Sequence, residues 1–316
     1  MPAASTTGTI DTAVTISNWV RIRIRGFLHE LAGRTGAPNA ADARNRAAAT
    51  VAAFAQNLKA CKTMLNLSFI KAVTLDLDDT LWPVWPTIER AEIALADWLG
   101  DHAPATAGLL ADTAARHEIR EQVMRELPAL RHDLSAMRRE SIRQALNRSG
   151  DDPLLAEPAF NIFFAARNRV TLFDDALPAL EFLARRFPLV ALSNGNADIG
   201  LVGIGGYFKA AVSARQVGVG KPDARIFQAA IDAAGIDGLE AREVLHVGDD
   251  AALDVLAALD CGMQAVWLNR EDKLWTHESA PPATVTTLGE LCGLFSESPR
   301  ETLHNFQDCV LDVSRA

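Results

Sequence analysis

The chain has 316 residues, 49% of them hydrophobic and 22% charged, with a formal charge of −9. That is enough apolar material for one large core or two modest ones, and too little polarity for a disordered protein. No stretch reaches the roughly 18 uncharged apolar residues of a membrane helix, and the early run "ISNWVRIRIRGFL" is broken by Arg21, Arg23 and Arg25, so neither a membrane span nor a conventional secretory signal is expected.

Residues 1–63 carry eight Lys/Arg against three Asp/Glu, which makes the rest of the chain more acidic than the total suggests. An acidic body argues against nucleic acid as a partner. Cys61, Cys261, Cys292 and Cys309 are far apart and form no C-x-x-C pair, so neither a zinc site nor a disulfide framework is indicated and a cytoplasmic setting is expected.

In chain order, residues 1–63 read as an N-terminal extension, disordered or partly helical, with an Ala-rich helical pattern near Ala47–Leu58. Three readings are open for it: a genuine tail, a transit-like segment, or a start placed upstream of Met64. From Met64 onward, apolar runs suited to buried parallel strands alternate with helical patterns. The expected strands are Ala72–Leu77, Leu189–Ser193, Ala211–Ser213, Val244–Gly248 and Gln264–Leu268, with a weak one at Thr284–Val285. Between the first two, residues 87–170 read as helix after helix: "TIERAEIALADWL", "AARHEIREQVMREL", "LSAMRRESIRQAL" and "AFNIFFAARNRV". The expected fold is therefore α/β, a doubly wound, mostly parallel Rossmann-like sheet formed by residues 64–86 and 171–295, with an inserted helical cap at 87–170 and a tail at 296–316.

Most of these strands end in residues suited to phosphate chemistry. "LDLDDTL" closes the first, "LSNGN" the second, "VGVGKPD" follows the third, and "HVGDDAALD" closes the fourth. In open α/β sheets the ligand sits beyond the carboxyl ends of the strands, so the four segments would meet in one crevice. Alternation along the first strand and its turn sets Asp76 and Asp78 toward the same side.

Four such segments, in this order and each at a strand end or helix start, resemble the haloacid dehalogenase-like (HAD) superfamily of aspartate-nucleophile hydrolases over about Met64–Phe295. The resemblance implies that Asp76 attacks phosphorus to form an aspartyl-phosphate, while Asp78 protonates the leaving alcohol and then deprotonates the hydrolytic water. It implies Mg²⁺ as cofactor, held by Asp76, the backbone carbonyl of Asp78, and Asp249. Ser193 and the amide of Asn194 would bind phosphoryl oxygens, and Lys221 would neutralise charge between nucleophile and phosphate. Asp254 would act in support, through Lys221 or a metal-bound water. Thr80 matches a position that helps hold the motif loop at the phosphate site, and a plain turn hydroxyl is equally consistent with it.

Ordinary structural readings account for other features. "GVGKPD" lacks the glycine spacing and the hydroxyl residue of a P-loop, "VGIGGY" reads as a turn, and His246 reads as a packing residue. Asp79 reads as a cap or loop brace. Asp250 is open between loop support and a contact in the metal's outer shell. Arg138, Arg139 and Arg143 read as a salt-bridged helix face, with reach to a second substrate anion as the alternative.

The expected function is a Mg²⁺-dependent phosphatase acting on a small phosphomonoester, as a monomer or homodimer, with no nucleic acid or membrane partner. An all-helical insertion after the first motif is similar to the C1-capped branch. Within it, "DLDDTLWPVWPTIERAE" and "HVGDDAALDVLAALDCGM" look most like bacterial phosphatases of flavin metabolism, which act on 5-amino-6-(5-phospho-D-ribitylamino)uracil and FMN. The alternatives are a broad sugar-phosphate or nucleotide phosphatase, a dehalogenase, a phosphomutase, and a non-catalytic phosphometabolite-binding module. Family dehalogenases lack an acid two residues after the nucleophile, and Asp78 is present. Mutases usually carry Gly where Asp79 stands, and binding modules usually lose a motif residue.

Overall fold

The structure is a computed structural model that describes residues 65–279 and 282–296. The N-terminal extension, with its expected helix, and most of the tail lie outside the described residues. Six parallel strands form one sheet: β1 (Ala72–Leu75), β2 (Leu189–Ser193), β3 (Ala210–Ser213), β4 (Val244–Gly248), β5 (Gln264–Leu268) and β6 (Ala283–Val285), in the order β3-β2-β1-β4-β5-β6. The weak strand signal near Thr284 is thus an edge strand, and the first strand stops one residue before Asp76.

The apolar runs are there because both faces of the sheet are covered. On one face, Val73, Leu75, Leu189, Ala191, Leu245 and Val247 pack among residues of α6 (Ala176–Ala184) and α11 (Leu288–Ser296). On the other, Ala72, Val190, Leu192 and Val244 pack against Ile226, Phe227, Ala230 and Ile231 of α9 (Ala224–Ala233). Adjacent strand residues alternate between the two clusters, as the twofold period of a strand requires.

Five helices lie between β1 and α6: α1 (Val84–His102), α2 (Pro104–Ala111), α3 (Thr113–Glu126), α4 (Leu134–Ser149) and α5 (Ala156–Arg167). They have a core of their own, with Ala91, Leu95 and Leu99 of α1 against Ile142 and Leu146 of α4 and Phe160 and Phe163 of α5. Asp112 and Asp133 start α3 and α4 by accepting the amides of Ala114 and Ala136 at 2.9 Å each. The remaining short helices are α7 (Ile199–Val202), α8 (Ala214–Val217) and α10 (Ala257–Asp260). Gly203, the first glycine of "VGIGGY", ends α7 in a left-handed turn at φ 92°. No helix among the described residues is long and apolar enough to cross a membrane.

The strand order places the site. β1 lies between β2 and β4, with Leu75 opposite both Ala191 and Val247. The chain leaves β1 toward β2 and β3, then returns to the other side for β4 and β5, so the loops after β1 and β4 part at a topological switch point. Asp76, Ser193 and Asp249 therefore surround one crevice at the carboxyl edge of the sheet.

Candidate active site

Asp76 follows directly on β1, and its amide donates to the carbonyl of Val247 at 2.9 Å, fixing its backbone to the neighbouring strand. Its carboxylate is buried. Oδ1 accepts from Lys221 Nζ at 2.6 Å and Oδ2 faces the Thr80 hydroxyl at 3.4 Å. Burial, followed by the charges of Asp254 and Asp249, pushes the Asp76 carboxyl well above its ordinary range, and Lys221 opposes that rise.

Lys221 stands between two carboxylates. Its ammonium also contacts Asp254, itself buried, and Asp254 accepts from His246 Nε2 at 3.2 Å and from the Asp250 amide at 3.0 Å. Burial alone would lower the lysine, yet the two carboxylates outweigh it and hold the ammonium above its ordinary value. Burial would raise Asp254, and Lys221 with His246 overcomes it, so Asp254 stays well below the usual carboxylate range. His246 is wholly buried, with Nδ1 2.8 Å from Thr74 Oγ1. It is a packing residue as expected, and it also braces Asp254.

Asn194 locks the lysine's backbone: its Oδ1 accepts the Lys221 amide at 2.7 Å and its Nδ2 donates to the Lys221 carbonyl at 2.9 Å. Gly220 must lack a side chain for this, since a Cβ there would come 2.7 Å from Asn194 Oδ1. Ser193, at the end of β2, accepts the Gly195 amide on Oγ at 2.9 Å. Thr80 is fully buried, and its carbonyl accepts from Arg270 Nη2 at 3.1 Å.

Asp249 lies after β4, where Trp267 Nε1 donates to its carbonyl at 2.8 Å. Burial, then the charges of Asp254 and Asp79, push its carboxyl up to about 7. Carboxylate oxygens of Asp76, Asp249 and Asp254 all lie within 4.8 Å of one another. Asp254 spends its oxygens on Lys221, His246 and the Asp250 amide, which leaves the Asp249 carboxylate and the Oδ2 of Asp76, faced only by the Thr80 hydroxyl, without a cation among the described residues. A hard cation with oxygen ligands fits such a set. Asp250 caps the π-helical segment Ala251–Leu256 that follows, accepting the amides of Ala252 and Leu253 at 2.8 Å each. Asp79, in the left-handed region at φ 58°, accepts the Val84 amide at 2.8 Å and opens α1. These bonds favour the loop-support reading for both.

The carboxylate of Asp78 is held by residues that sequence reasoning did not single out. Arg167 Nη2 donates to both of its oxygens at 2.7 Å, and Trp82 Nε1 donates to Oδ1 at 2.8 Å. Arg167 sits on the buried stripe of α5 that runs through Ala156, Ala159, Phe160 and Phe163. An arginine at the next position of an apolar stripe was the available signal. The arginines that were singled out are otherwise occupied: Arg138 pairs with Glu92 at 2.7 Å, Arg139 with Glu157 at 3.0 Å, and Arg143 with Glu140. A cleft of about 550 Å³ beside Lys221 and Asn194 is bounded by Arg131 and His132 from the helical block. A cavity of about 520 Å³ inside that block reaches Asn196 of the loop after β2.

Comparison with known proteins agrees with this arrangement. Residues 70–262 match the haloacid dehalogenase-like hydrolase family. The 5-amino-6-(5-phospho-D-ribitylamino)uracil phosphatase YigB of Escherichia coli is 32% identical, over 72% of this chain and 97% of that protein. A phosphoserine phosphatase of Thermus thermophilus is 32% identical over 70% of this chain and 98% of its own. Among solved structures, a 2-haloacid dehalogenase from Pseudomonas syringae pv. Tomato superposes with a TM-score of 0.67 at 38% identity, covering 72% of this chain and 98% of that one. With its parallel sheet, its cluster of carboxylates around one lysine and a match spanning most of the described residues, the chain belongs to the haloacid dehalogenase-like hydrolases.

Proposed function

We propose that the chain is a Mg²⁺-dependent phosphomonoester hydrolase that works through an aspartyl-phosphate on Asp76. The observation that carries the reading is the pair Asp76 and Asp78, with the Lys221 ammonium 2.6 Å from Asp76 Oδ1. In the first half-reaction a carboxylate oxygen of Asp76 attacks phosphorus, the bond to the ester oxygen breaks, and Asp78 gives its proton to the departing alcohol. In the second, Asp78 takes a proton from water, whose oxygen attacks the same phosphorus and releases Asp76 and phosphate. Lys221, the Ser193 hydroxyl and the amide of Asn194 supply positive charge and donors to the phosphoryl oxygens. Asp254 and His246 keep Lys221 in place.

Asp76, Asp249 and the carbonyl of Asp78 would hold the cation. When bound, it would offset the crowded negative charge of carboxylates and phosphate.

The names of the two phosphatase relatives support an ester substrate, and the name of the first supports 5-amino-6-(5-phospho-D-ribitylamino)uracil; FMN rests on the sequence resemblance alone. A broader sugar-phosphate or nucleotide phosphatase is the second reading. The dehalogenase neighbour favours a third, against which Asp78 stands, because displacement of halide needs no acid for a leaving alcohol. We further assign residues 87–170 as a cap over the crevice and residues 1–63 as lying outside the catalytic unit. A phosphate-release screen over a panel of phosphomonoesters, with Mg²⁺ and with EDTA, tests class and substrate together. Mg²⁺-dependent release is expected; release of phosphate from no ester, or equal release in EDTA, would overturn the proposal.

A further inference from the structure

We infer that Arg167, the last residue of the last helix in the inserted block, is the positioning residue of the Asp78 carboxylate, so that docking of that helix and proton transfer to the leaving alcohol are one structural event. The inference rests on the role proposed above for Asp78.

Asp78 is bounded from three segments. Trp82 reaches it from its own loop at 2.8 Å. Gly195, after β2, leaves no room on the other side, since a Cβ there would lie 2.6 Å from Oδ2. Arg167 closes the third side with one nitrogen on both oxygens, and of the three it alone comes from the helical block. The carboxylate is 21% exposed, so one side remains open to the crevice. Rotation of the carboxylate away from the reacting ester would break both contacts with Arg167 and the contact with Trp82.

Arg167 is poorly used as a fold-stabilising residue. Its side chain is 1% exposed, and its Nε and Nη1 have no partner among the described residues. Unfilled donors on a buried guanidinium cost stability, so the side chain is placed for Asp78 at the expense of the fold. The helix end that carries it is fixed to the loop after β2, where Asn168 Oδ1 accepts the Asp198 amide at 2.7 Å, and to α1, where Arg90 Nη2 donates to the Arg169 carbonyl at 2.9 Å. The guanidinium therefore enters the site at a set point, and displacement of the last turn of α5 would release Asp78.

The test uses the full chain with Mg²⁺ and the variants Arg167→Met and Arg167→Lys. Turnover is measured on p-nitrophenyl phosphate, whose leaving group needs no proton, and on whichever alkyl phosphate the wild type hydrolyses fastest. For Arg167→Met, kcat on the alkyl ester should fall about 100-fold and kcat on the aryl ester less than about tenfold, with KM changed little. Arg167→Lys, which keeps the charge without the planar fork, should recover part of the loss. Equal losses on the two esters, or none, overturn the inference.

A second readout does not need activity: the Trp82 indole N–H resonance should shift in Arg167→Met while the amides of β1 keep their positions, and an unmoved indole overturns the placement. Should the wild type release phosphate from no ester, the functional reading falls, and the indole resonance still decides whether Arg167 positions Asp78. Should Arg167→Met fail to fold, Arg167→Lys carries both readouts.

Discussion

The Lys221 ammonium lies 2.6 Å from Asp76 Oδ1 and simultaneously contacts Asp254, so one buried cation neutralises two buried carboxylates. The Asn194 side chain holds the same lysine by its backbone. Removing the ammonium leaves Asp76, Asp254 and Asp249 facing one another without it. Lys221→Met should lower kcat by about 100-fold or more. It should also cost about 3–5 kcal/mol of stability. Steady-state kinetics and urea unfolding measure the two effects, and a variant with wild-type turnover would remove Lys221 from the chemistry.

Asp249 makes the metal-free protein pH-sensitive. Its folded carboxyl is raised to about 7 from an ordinary 3.8 by burial and by the charges of Asp254 and Asp79. The folded state then holds this proton more tightly than the unfolded chain does. Its contribution to stability is greatest below the ordinary carboxylate range and is lost as pH rises toward 7. Asp76 shifts in the same direction, chiefly through burial. In EDTA, the melting temperature of Asp249→Asn should therefore fall less than that of the wild type between pH 4.5 and 7.5. Mg²⁺ should stabilise the wild type more at pH 7.5 than at pH 4.5, as differential scanning calorimetry would show. Equal Mg²⁺ shifts at the two pH values would contradict the site.

Gly195 sits where a methyl group would meet Asp78 Oδ2 at 2.6 Å and Ser193 Oγ at 3.1 Å. Gly195→Ala should fold, because the residue lies in a loop at the open edge of the sheet, and should displace one or both of these groups. A fall in kcat of about tenfold or more is expected with little change in melting temperature. Unchanged turnover would mean that the crevice is looser than the structure shows.

Asp78→Asn keeps the shape of the side chain and removes the proton. Its loss should be severe, about 100-fold or more, on an alkyl phosphate and smaller on p-nitrophenyl phosphate. Parallel kinetics on the two esters check it, and equal losses would count against an acid role.

Much of this arrangement was legible in the sequence because strand ends were. Apolar runs fixed β1, β2, β4 and β5 within a residue or two, and carboxylates at the ends of such runs stand out because burial makes them costly. Side chains that reach the site over long sequence distances were less legible. Arg167 lies 89 residues from Asp78, and an arginine in a helix reads as a solvated charge until packing shows the face it occupies. The clamp of the Asn194 side chain on Lys221 spans 27 residues, and the sequence pointed only to its backbone amide. Helix α2, "PATAGLLA", escaped notice because it is short and has no polar face opposite an apolar one. Asp79 and Asp250 show the converse: adjacent to site residues in sequence, both spend their carboxylates on helix-start amides.

The central claim is that Asp76 carries the phosphoryl group between the two half-reactions. The direct measurement is to quench the enzyme in acid during turnover of a phosphomonoester with Mg²⁺, and to locate any added phosphoryl group by peptide mass spectrometry. The account requires the group on Asp76, sensitive to hydroxylamine as an acyl-phosphate is, and absent from Asp76→Asn, which should not turn over. A phosphoryl group on another residue, or an Asp76→Asn variant that hydrolyses the ester within a few-fold of the wild type, would contradict it.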